Sequence, residues 1–193
     1  MCFRRCREPW RIEGMLRSLF LVTSAYASGS VAKTAMKKIN LNKIPWVEQR
    51  SPKGKFHKFR RSTARAMDGA KGGPKFASPP PFEVELVRLP PKATNFPLHA
   101  HTTEWEFYHV LSGTGAMRAN GRKVKLVPGD CVMCPPGDAH QIVNTGKMDL
   151  LYSVIANNAP TEVWHYPDSK KWGSRAIGKF FRLQEVDYFE GEE

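Results

Sequence analysis

The stretch His99-Ala100-His101-Thr102-Thr103-Glu104-Trp105-Glu106 brings His99, His101 and Glu106 within eight residues, and His140 follows Glu106 by 34 positions. Residues two apart on a strand share a face, so His99 and His101 can aim two imidazoles at one point. Alternation from Glu106 puts Tyr108 and Val110 on its face, with Trp105, Phe107, His109 and Leu111 on the other. On a later strand His140, Ile142 and Asn144 share a face. Three neutral imidazoles and one carboxylate suit a divalent transition metal and leave coordination positions open for water or substrate.

The surrounding chain reads as β structure. Strand-like runs follow in quick succession at 83–89, 105–111, 116–119, 122–127, 131–134, 141–143 and 150–155. Turn residues separate them: Ser112-Gly113-Thr114-Gly115, Asn120-Gly121, Pro128-Gly129-Asp130 and Pro135-Pro136-Gly137-Asp138. Asn120-Gly121 between two such runs predicts a two-residue hairpin, because both positions tolerate positive φ. Closely spaced strands with no helix between them predict an all-β antiparallel sandwich or barrel.

The same residues carry a resemblance. His99-x-His101, four residues, Glu106, six residues and Gly113 resembles the first cupin motif. Gly129, five residues, Pro135-x-Gly137, two residues, His140, three residues and Asn144 resembles the second. The glycine that usually opens the first motif is Ala93 here. The resemblance covers residues 82–156 and implies a conical β-barrel, also described as a double-stranded β-helix or jelly roll. It also implies His99, His101, Glu106 and His140 as ligands of one divalent transition metal ion per chain: Fe, Mn, Ni or Zn. Single-domain cupins commonly dimerise, so a homodimer is expected, with the arm at residues 36–50 suited to exchange between protomers.

Four segments are expected. Residues 1–35 form a doubtful leader, residues 36–81 a basic N-terminal arm with a Gly/Pro-rich linker, residues 82–160 the barrel, and residues 161–193 an extension packing on it. The leader has three readings: an over-extended start ahead of Met36, an Arg-rich transit peptide, or a weak secretory signal ending at Ala25-Tyr26-Ala27. In the arm, Ile39, Leu41, Ile44 and Trp46 are suited to pack on the barrel, while Lys58-Phe59-Arg60-Arg61 reads as basic, solvated loop and His57 as solvated.

The chain has 193 residues and a formal net charge of +12. Residues 1–76 carry 18 Lys+Arg against 4 Asp+Glu, whereas residues 77–193 carry 12 against 14. A basic arm on a near-neutral domain, with no recognition module, predicts no specific nucleic-acid partner. No apolar run reaches the ~18 residues of a membrane helix. Cys131 and Cys134 form a C-x-x-C whose thiols point to opposite strand faces, which argues against a shared metal, and Cys134 reads as a wall residue. Reduced thiols favour a cytoplasmic location, with the leader leaving organelle targeting or secretion open.

Function is less determined. The leading expectation is a metal-dependent small-molecule enzyme with dioxygenase-like oxidation ahead of metal-assisted isomerisation, decarboxylation or lysis. Its partner is a small organic substrate. The alternatives are a non-catalytic binding or sensing cupin and a metal-free isomerase or epimerase. Tyr108 is a candidate catalytic residue, His165 a candidate lid or pocket wall, and His109 a packed or interface histidine.

Overall fold

A computed structural model describes residues 38–68 and 81–193. The leader and the Gly/Pro-rich linker lie outside the described residues. Two strands precede the expected barrel: β1 (Val47–Arg50) and β2 (His57–Ser62), followed by the short helix α1 (Thr63–Asp68). The barrel then runs through β3 (Phe82–Leu89), β4 (Ala100–His101), β5 (Glu106–Ser112), β6 (Gly115–Ala119), β7 (Arg122–Leu126), β8 (Cys131–Cys134), β9 (His140–Val143) and β10 (Leu150–Asn157). The C-terminal segment adds β11 (Val163–Tyr166), β12 (Lys171–Ser174) and β13 (Lys179–Phe181).

The strands form three antiparallel sheets: β1-β2-β3-β10-β5-β8, β7-β6-β9 and β13-β12-β11-β4. Alternation decides which side chains meet inside. On β3 Val87 and Leu89 are buried, on β5 Tyr108 and Val110, and on β10 Leu150 and Tyr152. Met117, Leu126, Cys134 and Ile142 complete the core from the other strands. The fold is the expected jelly-roll type.

The turns follow the sequence closely. Asn120 and Gly121 take φ of 46° and 76°, closing β6 onto β7 as a two-residue hairpin. Gly113 is demanded twice over: its φ is 81°, and a Cβ there would lie 2.3 Å from the Asp149 carbonyl oxygen. Asn144 is structural. Its buried amide donates to the Leu89 and Met148 carbonyls, and its oxygen accepts from Gly146.

The arm departs from expectation. Lys58-Phe59-Arg60-Arg61 is strand, with Phe59 opposite Arg88 and Arg61 opposite Leu86 on β3 of the same chain. Its basic content conceals an alternation in which Arg60 and Ser62 are partnered by the neighbouring strand. Arg60 pairs with Glu85 at 2.5 Å, and Ser62 donates to Glu83 at 2.7 Å. On the other face the Arg61 and Arg88 guanidiniums stand 4.3 and 5.2 Å from the Trp46 ring. Ile39, Leu41, Ile44 and Trp46 are each part-buried. His57 is not solvated either. Its Nε2 lies 2.9 Å from Glu48, and its side chain is only 16% exposed.

Candidate metal centre

The cluster forms where three strands converge. His99 and His140 bridge antiparallel, each backbone N–H donating to the other's carbonyl. His101 follows two residues on, in β4, and Glu106 opens β5. Spacing along each strand then turns all four side chains inward, as alternation predicts. Their donor atoms lie within 4.8 Å of one another, with the three histidines buried. His99 Nε2 is 3.1 Å from His101 Nε2, His101 Nε2 is 3.3 Å from Glu106 Oε2, and His140 Nε2 is 2.7 Å from that oxygen. Adjacent donors around a metal with ~2.1 Å bonds sit ~3 Å apart, so this spacing matches neighbouring coordination positions.

The tautomers also fit a cation. His99 Nδ1 lies 3.2 Å from the Pro97 carbonyl and His140 Nδ1 lies 3.0 Å from the Asp138 carbonyl. His101 Nδ1 faces two carboxylates, Glu104 Oε2 at 3.0 Å and Glu162 Oε1 at 3.3 Å. His99 and His140 therefore carry their Nδ1 protons toward backbone carbonyls, His101 turns its Nδ1 to two carboxylates, and three Nε2 lone pairs are left pointing at one another and at a carboxylate. Lone pairs repel unless a proton or a metal ion sits among them. In the metal-free chain protons fill that role. Burial opposes a charge on His101, yet Glu104, Glu106 and Glu162 raise its pKa to about 11. Burial likewise opposes a charge on His140, and Cys134 and Glu106 raise it to about 10. His99 goes the other way, to about 3, because burial outweighs the nearby Glu106. Burial would raise Glu106, but His101 and His140 hold it well below the usual carboxylate range.

Two acidic residues here escaped the sequence reading. Glu104 and Glu162 are 3% and 0% exposed. Glu162 accepts from the backbone N–H groups of Thr102, Thr103 and Glu104 and from the Thr103 hydroxyl. It thereby ties the C-terminal segment to the loop between His101 and Glu106. Arg175 pairs with Glu104 Oε1 at 2.5 Å and donates to the Ala159 carbonyl. Glu104 lies three residues from His101, a spacing that could have marked it as a neighbour. Glu162, some sixty residues away, was not.

Tyr108 is 2% exposed and its hydroxyl donates to Glu106 Oε2 at 2.9 Å, lying 3.1 Å from His140 Nε2. Burial, with Glu106 alongside, pushes its pKa well above the usual tyrosine value, so it stays a donor. His165 stacks on Trp172 at 4.4 Å, away from the cluster. Its neighbour Tyr166 lies 6.0 Å from the His99 ring at an interplanar angle of 23°. Cys131 is exposed and Cys134 buried, the opposite-face arrangement. Arg118 is paired with Asp168 at 2.7 and 2.9 Å, and the Arg88 guanidinium lies against Trp46 and Phe59.

The barrel and its motifs have a counterpart among known proteins, since residues 85–156 match the Cupin domain family. The chain is a cupin domain protein. This cupin is 36% identical over 69 residues to an oxalate-binding protein of Thermotoga maritima, a span covering 36% of this chain and 56% of that protein. It is 30% identical over 84 residues to an uncharacterized protein of Aquifex aeolicus, covering 38% of this chain and 69% of the other. Its fold superposes on a sugar phosphate isomerase from a cupin superfamily of Silicibacter pomeroyi with a TM-score of 0.62 and 25% identity, covering 79% of this cupin and 98% of that chain. The chain thus spans just over half the length of the Thermotoga relative. Among the described residues no helix is long and apolar enough to cross a membrane.

Proposed function

We propose that this cupin is a metal-dependent enzyme acting on a small organic anion, with His99, His101, Glu106 and His140 holding one divalent transition metal ion. The observation that carries this is the convergence of three Nε2 lone pairs and the Glu106 carboxylate within 4.8 Å of one another, with His99 and His140 held at Nδ1 by backbone carbonyls and His101 Nδ1 facing Glu104 and Glu162. A metal-free isomerase would need no such convergence. The ion supplies Lewis-acid polarisation of a bound oxygen or, if it is redox-active, oxygen chemistry. The chain's own residues do the positioning. Tyr108 donates a hydrogen bond to Glu106 and keeps that carboxylate oriented, Glu104 and Glu162 hold the His101 ring, and Phe96 and Tyr166 pack against the His99 ring. A small anion is favoured by the similarity to proteins named for oxalate and for a sugar phosphate. Dioxygenase-like oxidation leads, ahead of isomerisation, decarboxylation or lysis.

Elemental analysis of the purified protein, then anaerobic reconstitution with Fe(II), Mn(II), Ni(II) and Zn(II), tests the metal. Oxygen uptake by the iron form with organic acids tests the oxidation, and its failure across a broad panel would remove the dioxygenase reading. A second reading, a non-catalytic binding cupin, is favoured by the similarity to an oxalate-binding protein. Saturable oxalate binding without turnover would support it.

The reading includes a homodimer. On the outer face of the six-stranded sheet Phe82, Trp105, Met133 and Ile155 are 58%, 51%, 53% and 41% exposed and line one shallow apolar groove. Contiguous apolar surface of this kind marks interaction sites. The double variant Trp105→Arg and Met133→Arg is expected to sediment as a monomer at concentrations where the parent protein is a dimer. An unchanged sedimentation coefficient would remove this face as the interface.

A further inference from the structure

We propose that Lys58 grips a second carboxylate of the substrate, so that the site takes a small dicarboxylate with one end at the metal cluster and the other on this ammonium. This rests on the metal-site reading above.

The argument begins with β2. Its inward-facing residues are Lys58, Arg60 and Ser62, and two of the three are already committed: Arg60 to Glu85 and Ser62 to Glu83. Lys58 is part-buried, and its ammonium has no hydrogen bond or ion pair among the described residues. What it has is the face of Phe96, with Nζ 5.1 Å from the ring centroid. That ring also meets His99 at 4.5 Å and 89°, and His140 at 6.2 Å and 82°. The same phenyl ring therefore borders both this cation and two of the four candidate ligands.

The local charges leave Lys58 as the open position. The charges facing it are Glu85, Arg60 and, from the cluster, Glu106. Glu85 and Arg60 largely satisfy each other. Glu106 is the remaining counter-charge, and a metal ion claims it. Burial holds the Lys58 pKa below the usual lysine value, and an arriving anion supplies the partner this cation lacks. A single ammonium without a guanidinium fork or a nest of backbone N–H groups suits one carboxylate better than a phosphate. Lys171, at the start of β12, lies 4.7 Å from the Tyr166 ring and 5.4 Å from Phe180. Like Lys58 it is a lysine resting on aromatic faces, and it serves as the control.

The experiment is calorimetric titration of the metal-loaded protein with succinate and with butyrate, which differ by the far carboxylate alone. The parent chain is expected to favour succinate ~10- to ~100-fold, the range for a buried charged hydrogen bond. Lys58→Met keeps the aliphatic stem on Phe96 and is expected to retain its metal and melting temperature while losing that preference. Lys58→Arg is expected to keep most of it, and Lys171→Met to shift it less than ~3-fold. A Lys58→Met protein that still prefers succinate, or a Lys171→Met protein that loses the preference instead, overturns the assignment and leaves the metal-site reading standing. A metal-loaded parent chain that binds neither acid overturns both the assignment and the organic-anion reading. A parent chain that holds no metal overturns the reading on which the assignment rests.

Discussion

Replacing Glu162 with alanine is expected to cost ~3–5 kcal/mol of folding stability, the range for breaking a buried ion pair from one side. The side chain is fully buried, three backbone N–H groups and one hydroxyl depend on it, and His101 faces it at 3.3 Å. Alanine would leave those donors buried without an acceptor. Urea denaturation of the variant against the parent chain measures the loss, and a change below ~1 kcal/mol would show that Glu162 is dispensable. Metal affinity is expected to fall ~10- to ~100-fold as well, because the His101 ring loses one of the two carboxylates that orient it.

The same residue predicts a pH dependence in the metal-free protein. Burial alone would raise the Glu162 pKa, but His101, Thr103 and Thr102 lower it from 4.5 to about 2. A carboxylate depressed by folding contributes stability that is complete above its unfolded pKa and is lost as pH falls through the folded one. The window therefore runs from about 4.5 down to about 2, and the contribution is on the order of 3 kcal/mol. Glu162→Gln lacks this contribution. Its stability is expected to fall less steeply than the parent's across that window in chelator-treated samples. Parallel curves would contradict it.

The double variant His99→Ala and His140→Ala is expected to lose stoichiometric metal while remaining folded. Two of four donors disappear, leaving His101 and Glu106, which bind a divalent ion far too weakly to survive gel filtration. These two histidines are the better pair to remove because their Nδ1 partners are backbone carbonyls. Taking out His101 would instead strand the buried carboxylates of Glu104 and Glu162. Metal content by mass spectrometry of elements, with circular dichroism as the check on fold, decides the matter. A folded variant that keeps one ion per chain would end the four-ligand assignment.

Much of this protein was legible without coordinates, and the reason is that the relevant signals are local. Alternation at 106–110 placed Glu106, Tyr108 and Val110 on one face because a strand repeats every two residues, and Tyr108 and Val110 are buried as that requires. Asn120-Gly121 announced its hairpin because few other residue pairs accept positive φ twice. The convergence of His99, His101, Glu106 and His140 is what the resemblance of two motifs to the cupin pattern implied.

What the tertiary structure alone decided depends on contacts between residues distant in sequence. Lys58-Phe59-Arg60-Arg61 read as solvated loop because its charges hid the alternation, and only the placement of Glu83, Glu85 and Trp46 beside it shows a strand in which Arg60 and Arg61 have partners. Glu162 carried no motif, since its role is to accept hydrogen bonds from a loop some sixty residues earlier. Charge in a sequence carries no direction. Whether a lysine or glutamate is solvated, paired or aimed into a site is settled by the strand that packs against it.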